Sequence, residues 1–354
     1  MKWEMIRLGD VCEVDRGTRV VKNQLKQTSQ SGELYPVFQN SLKPLGYHTK
    51  YNQPGKTMFM ISAASAGQLA YSMTPYWAAD DCFCFSSEHL NYHFLYFALL
   101  NMQESIFRLV RKGTIPRLAR EAINALQIPF PPLSIQRRIA ADIERRLAIV
   151  EKAKQAAAAQ MEAAKALKAA YLRKVFGENA WQMVKLGDVC KIDRGTRVVK
   201  NQLKQTSQDG ELYPVFQNSL KPLGYHSESN QPGKTVYMIS AASAGQLAYS
   251  KTPYWAADDC FCFSSEHLSY HFLYFALLNI QNSIFRLVRK GTIPRLSREA
   301  ISTLQVPLPP LPAQRRAAAY LDAKFAAADN LIAALDAQLA DINAMPAAIL
   351  RLAF

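Results

Sequence analysis

The sequence lacks long apolar runs and is poor in acidic residues. No uninterrupted apolar stretch reaches about 18 residues, so no transmembrane helix is expected, and the opening MKWEMIRLGD has no apolar signal-peptide core. Against 42 Lys and Arg the chain has 28 Asp and Glu, which leaves a net charge of +14. Such an excess attracts polyanions, above all nucleic acid, although it could serve solubility instead. These features predict a cytoplasmic protein with no membrane partner.

Cysteine is scarce, and its spacing does not suit a metal. The pairs have one residue between the thiols, whereas zinc knuckles need two or more. The surrounding DVC and DDCFCF segments alternate like buried strands, so the sequence predicts buried thiols in a reducing compartment and no metal site. The six cysteines are Cys12, Cys82, Cys84, Cys190, Cys260 and Cys262.

No catalytic constellation is visible. The segment PGKT at Pro54 needs glycine where Lys50 stands, so it does not form a phosphate-binding loop. His89 and His93 could share one face at the start of a helix, but Leu90 follows where a zinc protease has glutamate. There is no glycine-rich cofactor loop and no Asn or Asp before a Pro-Pro-aromatic signature. We therefore expect a non-catalytic chain without a cofactor of its own.

An internal repeat organises the chain. When the chain is slid along itself so that Trp3 meets Trp181, the match continues to PPLS at Pro131 and PPLP at Pro309. Roughly 131 positions align with about 20 differences, and the similarity then collapses. The chain is thus a tandem duplication of two near-identical segments, here called head 1 and head 2. A different tail follows each head.

The tails are predicted to be long helices. From Ser134 to about Lys174 there is no Gly or Pro, and apolar residues recur at spacings of three and four. The second tail, from about Pro312, repeats the pattern, and Pro346 should kink or end it. Pairing of the tails as a coiled coil is favoured over separate packing of each tail against the heads.

The heads mix short strands with turns. Strand-like segments are YPVFQN, KTMFMISAASAGQLAYS and PYWAADDCFCFSS, each bounded by Pro or Gly. The segment from Tyr92 to Lys112 resembles one helix that Gly113 ends. Each head is therefore predicted to be a small domain of about 130 residues that contains both helices and strands.

Basic residues gather in two segments of each head. The first cluster, Arg16 to Lys26, contains no acid; the second, Arg108 to Arg120, straddles KGTIP. Both are predicted to contact DNA, because Arg, Lys, Asn and Gln bind phosphates and read base edges; a solvated surface is the alternative. The candidates are Arg16, Thr18, Arg19, Lys22, Asn23, Gln24, Lys26, Arg111, Lys112 and Arg117. Their copies in head 2 are Arg194, Thr196, Arg197, Lys200, Asn201, Gln202, Lys204, Arg289, Lys290 and Arg295.

Over essentially its whole length the chain resembles the specificity subunits of type I restriction-modification systems. The matching motifs are WEMIRLGDVCEVDRG, YPVFQNSLKPLGYHTKYN, SAGQLAYSMTPYWAADD and KGTIPRLAREAINALQIPFPPLSIQRRI, with their second copies. The resemblance implies an α+β fold with two similar α/β target recognition domains joined by two long helices. These helices would form an antiparallel coiled coil with internal pseudo-two-fold symmetry. The implied limits are 1–133 and 179–311 for the recognition domains, and 134–178 and 312–354 for the helices.

The resemblance also implies partners. These are double-stranded DNA, two methyltransferase subunits that carry S-adenosylmethionine, and, in a full complex, restriction or translocase subunits. Gln136 and Gln314 match the glutamine of the family's PPLxEQ junction, but Ile135 and Ala313 replace the acid before it. The candidates for partner binding are Gln136, Arg137, Arg138, Gln314, Arg315 and Arg316.

Family members commonly carry unlike heads, whereas these heads are almost the same. Equal heads related by a two-fold axis predict an interrupted palindrome as the DNA site. The loop with Lys50 and Tyr51, where head 2 has Glu228 and Ser229, is expected to face solvent. Two other functions remain open: a protein-binding scaffold with a coiled-coil core, and a methyltransferase in its own right.

Overall fold

Short strands build each head in the computed structural model, which describes residues 3–21, 23, 25–26, 34–199, 201, 203–204 and 212–354. The strands of head 1 are β1 (Met5–Arg7), β2 (Glu13–Arg16), β3 (Tyr35–Phe38), β4 (Gly46–His48), β5 (Thr57–Ile61), β6 (Leu69–Ser72), β7 (Trp77–Ala78), β8 (Cys82–Ser86) and β9 (Gln127–Pro129). Its helices are α1 (Leu8–Val11), α2 (Tyr92–Asn101), α3 (Gln103–Arg108) and α4 (Arg120–Asn124), and the first tail is α5 (Leu133–Gly177).

Head 2 repeats these elements in the same order. Its strands are β10 (Met183–Lys185), β11 (Lys191–Arg194), β12 (Tyr213–Phe216), β13 (Gly224–His226), β14 (Thr235–Ile239), β15 (Leu247–Ser250), β16 (Trp255–Ala256), β17 (Cys260–Ser264) and β18 (Gln305–Pro307). Its helices are α6 (Leu186–Val189), α7 (Tyr270–Asn279), α8 (Gln281–Leu287) and α9 (Arg298–Ser302), and the second tail is α10 (Leu311–Ala353).

The described strands of head 1 form three sheets. The largest has the order β2-β8-β5-β6 and is antiparallel throughout. A second sheet has the order β4-β3-β7, in which β3 and β7 run parallel, and β1 pairs with β9 in a third. Head 2 has the same three sheets. The predicted α+β class is confirmed.

Strand β5 is buried on both of its faces. Successive side chains of a strand point to opposite sides. Met58 and Met60 pack into one apolar cluster with Leu95 of α2, whereas Phe59 and Ile61 belong to a second cluster. The continuous apolar segment TMFMI therefore supplies two cores, one on each face of the large sheet.

The segment predicted as one helix up to Gly113 forms two helices instead. Asn91 caps α2, its side-chain oxygen accepting a hydrogen bond from the Phe94 N–H at 2.9 Å. Met102 leaves the helical conformation between α2 and α3, and α3 ends at Arg108. The prediction of a single helix up to Gly113 was wrong: Met102 interrupts the helix, and the backbone pairing of Arg111 with Arg117 keeps the segment after Arg108 from continuing it.

The two tails are long helices, as predicted. Helix α5 ends at Gly177, a residue that commonly follows the last helical turn. Helix α10 continues through Pro346 to Ala353, so this proline does not end it. Proline removes one backbone donor, but the last turns remain helical because Ile349 and Leu350 pack against head 1. Within the described residues, no helix combines the length and the apolar character that a membrane span requires.

The chain divides into two units. The first comprises Met1–Ala158 with Ala337–Phe354, and in it the start of α5 packs beside the end of α10 and against α2. Phe94 of α2 meets Phe354 with ring centroids 5.4 Å apart. Each tail thus also packs against a head, so pairing of the tails and packing against the heads occur together.

The second unit, Ala159–Asp336, contains head 2, the end of α5 and the start of α10. Phe176 packs on Phe272 of α7 at 5.6 Å, the counterpart of the Phe354–Phe94 contact in the first unit. The Lys168 ammonium lies 2.6 Å from a carboxylate oxygen of Asp329. In this unit the two helices run antiparallel, since Lys168 meets Asp329 whereas Tyr171, further along α5, meets Tyr320, earlier in α10.

Candidate nucleic-acid interface

A short closed loop presents the second basic cluster. The Arg111 N–H donates to the Arg117 carbonyl at 2.8 Å, and the Arg117 N–H donates back to the Arg111 carbonyl at 3.2 Å. The Pro116 carbonyl accepts from the Ala64 N–H at 2.9 Å, which fastens the loop to the connection between β5 and β6. Head 2 has the same mutual pair between Arg289 and Arg295, at 2.8 and 3.1 Å. Residues 112–115 therefore form an exposed tip on a fixed base.

Both basic clusters meet in head 1. Arg16 of the first cluster and Arg111 and Arg117 of the second line one open depression of about 440 Å³. Arg120 lines it as well, and Leu118 and Ala119 contribute its apolar part. Four guanidinium groups against the single carboxylate of Glu121 leave the lining of this depression positive, which suits a polyanion.

Two aspartates lie beside these arginines. Arg117 is 3.9 Å from Asp81, and Arg120 is 3.8 Å from Asp15, with the arginine side chains more than half exposed. Arg295 repeats the first contact with Asp259 at 3.8 Å in head 2. Exposed ion pairs of this length contribute little binding energy. They orient the guanidinium groups and leave donors for a ligand.

Backbone hydrogen bonds hold the first cluster against both the four-stranded and the three-stranded sheet. The Gly17 N–H donates to the Cys82 carbonyl at 3.0 Å, and the Thr18 N–H donates to the Ala78 carbonyl at 2.9 Å. A Cβ atom on Gly17 would lie 2.3 Å from the carbonyl oxygens of Ala78 and Ala79, so only glycine fits. The indole N–H of Trp77 donates to the Thr18 carbonyl at 2.8 Å. These contacts fix the direction in which Arg16 and its neighbours leave the sheet.

All described members of the DNA-binding prediction are exposed. In head 1 these are Arg16, Thr18, Arg19, Asn23, Lys26, Arg111, Lys112 and Arg117. In head 2 they are Arg194, Thr196, Arg197, Asn201, Lys204, Arg289, Lys290 and Arg295. Lys26 is anchored by mutual backbone hydrogen bonds with Tyr47, both 2.9 Å long. Lys22, Gln24, Lys200 and Gln202 lie outside the described residues.

The loop that differs between the heads adjoins the first cluster. Its side chains Lys50 and Tyr51 are exposed, as are Glu228 and Ser229 in head 2. The Lys50 N–H donates to Nδ1 of His48 at 2.9 Å. The ring of His48 lies 4.7 Å from that of Trp77, the residue that holds the Thr18 carbonyl.

Gln136 and Gln314 are structural rather than partner-binding. The Gln136 side chain is fully buried; its oxygen accepts from the Asn91 N–H at 2.8 Å, and its nitrogen donates to the His89 and Pro131 carbonyls. Gln314 makes the same three bonds in head 2. Direct contact between these side chains and a partner, as predicted, is wrong because no part of either is accessible. The neighbouring Arg137, Arg138, Arg315 and Arg316 are exposed.

His89 and His93 do not share a helix face. Helix α2 begins at Tyr92, so His89 precedes it, and the expectation of a common face was wrong. His93 stacks on Tyr71 with ring centroids 4.3 Å apart, and burial lowers the pKa of its imidazole against the opposing effect of Glu144. In the described part of the chain, no group of three or more His, Cys, Asp or Glu is placed to hold a metal.

The cysteines are buried and free, as the strand pattern predicts. Desolvation raises the pKa of the Cys12 and Cys84 thiols to about 12, and it raises that of Cys82 further. A buried thiol with so high a pKa is a poor nucleophile and a poor metal ligand. The thiols therefore act as small apolar core residues.

The sequence prediction selected charged and amide residues, so it missed three other residues of the candidate DNA interface. Trp77 and His48 join the first cluster to its neighbouring loop, and Ile115 stands at the tip of the second. The available signal was their position: Trp77 precedes the AADD turn, and Ile115 interrupts a basic segment.

Comparison with known proteins is consistent with this architecture. The model of the type I restriction modification DNA specificity domain matches residues 1–158 and 178–340. A Mycoplasma pneumoniae protein named as a type I specificity subunit, S.MpnORF507P, is 26% identical over 334 residues, covering 91% of this chain and 89% of its own. A Haemophilus influenzae protein named as a type I restriction enzyme specificity subunit, S.HindORF215P, is 24% identical over 350 residues, with coverage of 90% and 86%.

Two solved structures share the fold. The HsdS subunit from Thermoanaerobacter tengcongensis superimposes with a TM-score of 0.66 at 19% identity, covering 99% of this chain and 96% of its own. A chain from a structure of a type I R-M system reaches 0.73 at 20% identity, with coverage of 99% and 97%. Because the family model spans both heads and much of both tails, the chain belongs to the type I restriction-modification DNA specificity family.

Proposed function

We infer that this chain is the non-catalytic subunit that recognises the DNA sequence for a type I restriction-modification system. The observation that carries this inference is the convergence of Arg16, Arg111, Arg117 and Arg120 around one depression of head 1. Guanidinium groups bind phosphates and pair with guanine through two hydrogen bonds. The exposed Thr18 and Asn23 add groups that can bind phosphates or base edges.

The tails serve partner docking and spacing in this proposal. Each head stands at the start of one long helix and packs against the end of the other. Two methyltransferase subunits would bind the helical region, with the exposed Arg137, Arg138, Arg315 and Arg316 as contacts at the two junctions. These partners would hold S-adenosylmethionine, and restriction or translocase subunits would join them.

The domain limits 1–133, 134–178, 179–311 and 312–354 remain our proposal for how recognition and spacing divide. We also propose the cytoplasm as the compartment, since it holds the DNA and keeps thiols such as the six free cysteines reduced.

The DNA site proposed for two nearly equal heads is an interrupted palindrome. The described exposed residues of the first cluster are the same in both heads, and the KGTIPRL segments are identical. Identical side chains on equivalent backbones present the same donors and acceptors to the major groove. In this proposal the antiparallel tails would relate the heads by a pseudo-two-fold axis, and the second half-site would then be the inverse of the first.

The test is to map methylated bases in a genome that expresses this chain with its methyltransferase. We expect one bipartite motif whose halves are inverted copies of each other. Replacing Arg16 and Arg194 by alanine should abolish methylation at that motif, whereas replacing the exposed Glu88 and Glu266 by glutamine should preserve it. A motif with two unrelated halves would contradict equal reading by the heads.

DNA binding by the same complex separates recognition from a scaffold. A chain that neutralises phosphates loses affinity steeply as salt rises, whereas a protein-binding scaffold predicts no DNA affinity to lose. The methyltransferase alternative is tested by S-adenosylmethionine: this chain alone should not bind it, and its complex with the partner should.

A further inference from the structure

An exposed isoleucine stands at the tip of the second basic cluster. Ile115 is 53% exposed, and its counterpart Ile293 is exposed to the same degree. The mutual hydrogen bonds of Arg111 and Arg117 close the loop behind it, so the side chain is held outward rather than folded into the core. A single exposed apolar residue is ordinary on a protein surface. Ile115 differs because it recurs at the equivalent position of head 2, and in both heads its loop is closed by backbone hydrogen bonds.

The surroundings of Ile115 are basic. Both arginines that close its loop line the same depression as Arg16, and Lys112 is exposed on the tip itself. A surface that served protein docking through isoleucine would combine it with further apolar side chains. Phe107 and Leu109 are exposed in the segment before the loop, but the tip itself, residues 112–115, has no large apolar side chain besides Ile115. Instead the field favours a polyanion, and the apolar group lies where DNA would be drawn by its phosphates.

The first cluster repeats the combination. Val21 follows Arg19 and Val20, and it is 55% exposed, as is Val199 in head 2. Each described basic cluster thus presents one exposed β-branched aliphatic side chain among groups that bind phosphates. Apolar atoms in such a position have one recognition target in the DNA major groove, the C5-methyl group of thymine.

We propose that Ile115 and Ile293 are specificity-determining residues that contact the C5-methyl group of a thymine in each half-site. The inference rests on the proposed function, since it requires that the heads read DNA. The closed loop supplies the stiffness that such a contact needs, and the flanking arginines supply the phosphate contacts that hold the loop in the groove.

The test uses the chain in complex with its methyltransferase and a duplex that carries the mapped methylation motif. Each thymine of the half-site is replaced in turn by uracil, in both half-sites together, which removes only the C5-methyl group. At one position we expect the wild-type complex to bind about 4-fold more weakly per half-site, or roughly 15-fold in all.

A chain with Ile115→Ala and Ile293→Ala should bind the thymine duplex more weakly and should not respond to uracil at that position. The conservative pair Ile115→Val and Ile293→Val should retain most of the response. The matched control is Met5→Ala with Met183→Ala, which are 53% and 52% exposed but lie on β1 and β10, outside both basic clusters. This control should respond as the wild type does.

The outcomes separate the two proposals. A wild-type complex without preference for the motif overturns the proposed function and this inference together. If the wild-type complex does prefer the motif, the proposed function stands. The inference alone is then overturned if neither half-site contains thymine, or if the alanine pair still binds the uracil duplex more weakly than the thymine duplex. Loss of methylation with unchanged DNA affinity in the alanine pair would assign Ile115 to a protein contact, and it too would overturn the inference.

Discussion

Cys12 and Cys84 are thiols that the fold makes unreactive. Their pKa of about 12 leaves a thiolate fraction on the order of 10⁻⁴ at pH 8, and burial blocks access to what remains. We therefore expect iodoacetamide at pH 8 to label none of the six cysteines of the native chain, and to label all six in denaturant. Mass spectrometry counts the added groups. A native cysteine that reacts at the denatured rate would contradict the structure.

His93 ties stability to pH because burial lowers its pKa. The folded state binds a proton less readily than the unfolded state, whose imidazole has a pKa of about 6.5. This contribution to stability is complete above that pH and is lost as the pH falls through the folded pKa. We expect His93→Phe, which preserves stacking on Tyr71, to weaken the loss of unfolding free energy below pH 6.5. Denaturant titrations at several pH values give the unfolding free energy. An equal decrease of this free energy with falling pH in the wild type and in His93→Phe would count against this role.

At the scale of elements, Gln136 joins a head to its tail. Its amide connects the start of α5 with the backbone before α2 and with the Pro131 carbonyl. Gln136→Ala would leave these three backbone groups without that partner, so it should lower the unfolding free energy of head 1 by at least about 2 kcal/mol.

The neighbouring Arg137→Ala is the control for this change, since Arg137 is exposed and should cost less than about 0.5 kcal/mol. Hydrogen exchange of the first turn of α2 reports the local effect. Equal amide exchange of this turn in the two variants would contradict the role of Gln136 in connecting the head to α5.

The limits of these elements show what a local pattern can predict. The apolar period of the tails predicts their helices, because period and absence of breakers act within a few turns. The same reasoning failed between Tyr92 and Lys112, where the backbone pairing of Arg111 with Arg117 ends the helical segment early. It also failed at Gln136, since a polar residue beside two arginines resembles a surface position until the buried backbone groups around it are known.

At the scale of the molecule, the repeat and the family motifs predicted two equivalent heads and antiparallel tails. They did not predict that Arg16 and Arg117 would share a depression, since roughly 100 residues separate them. That proximity depends on the pairing of β2 with β8 and on the hydrogen bond from Leu118 to the Ser62 carbonyl beyond β5. Residue type identified these arginines as candidates, but only the sheet order brings them together.

The duplication leaves two charge reversals near the first cluster. At one of them Lys191 of head 2 replaces Glu13, and its ammonium lies 2.7 Å from Asp193, which offsets its charge. The other lies in the loop beside the cluster. Head 1 has Lys50 where head 2 has Glu228, and both are exposed. Contacts through His48 and Trp77 connect the loop of head 1 with the Thr18 backbone, and His226 and Trp255 repeat the ring contact at 4.4 Å in head 2. A lysine near a phosphate adds attraction, and a glutamate adds repulsion.

The two heads should therefore hold equal half-sites with unequal strength. We expect Lys50→Glu to weaken binding of the palindromic duplex and to reduce the log-log salt slope by about one unit, and Glu228→Lys to do the reverse. Thr49→Ser, which only installs the residue of head 2 in head 1, should change neither quantity. Footprinting at rising salt should show the half-site of head 2 released first in the wild type, and both released together in Glu228→Lys. Simultaneous release in the wild type would mean that this loop stands too far from the phosphates to act on them.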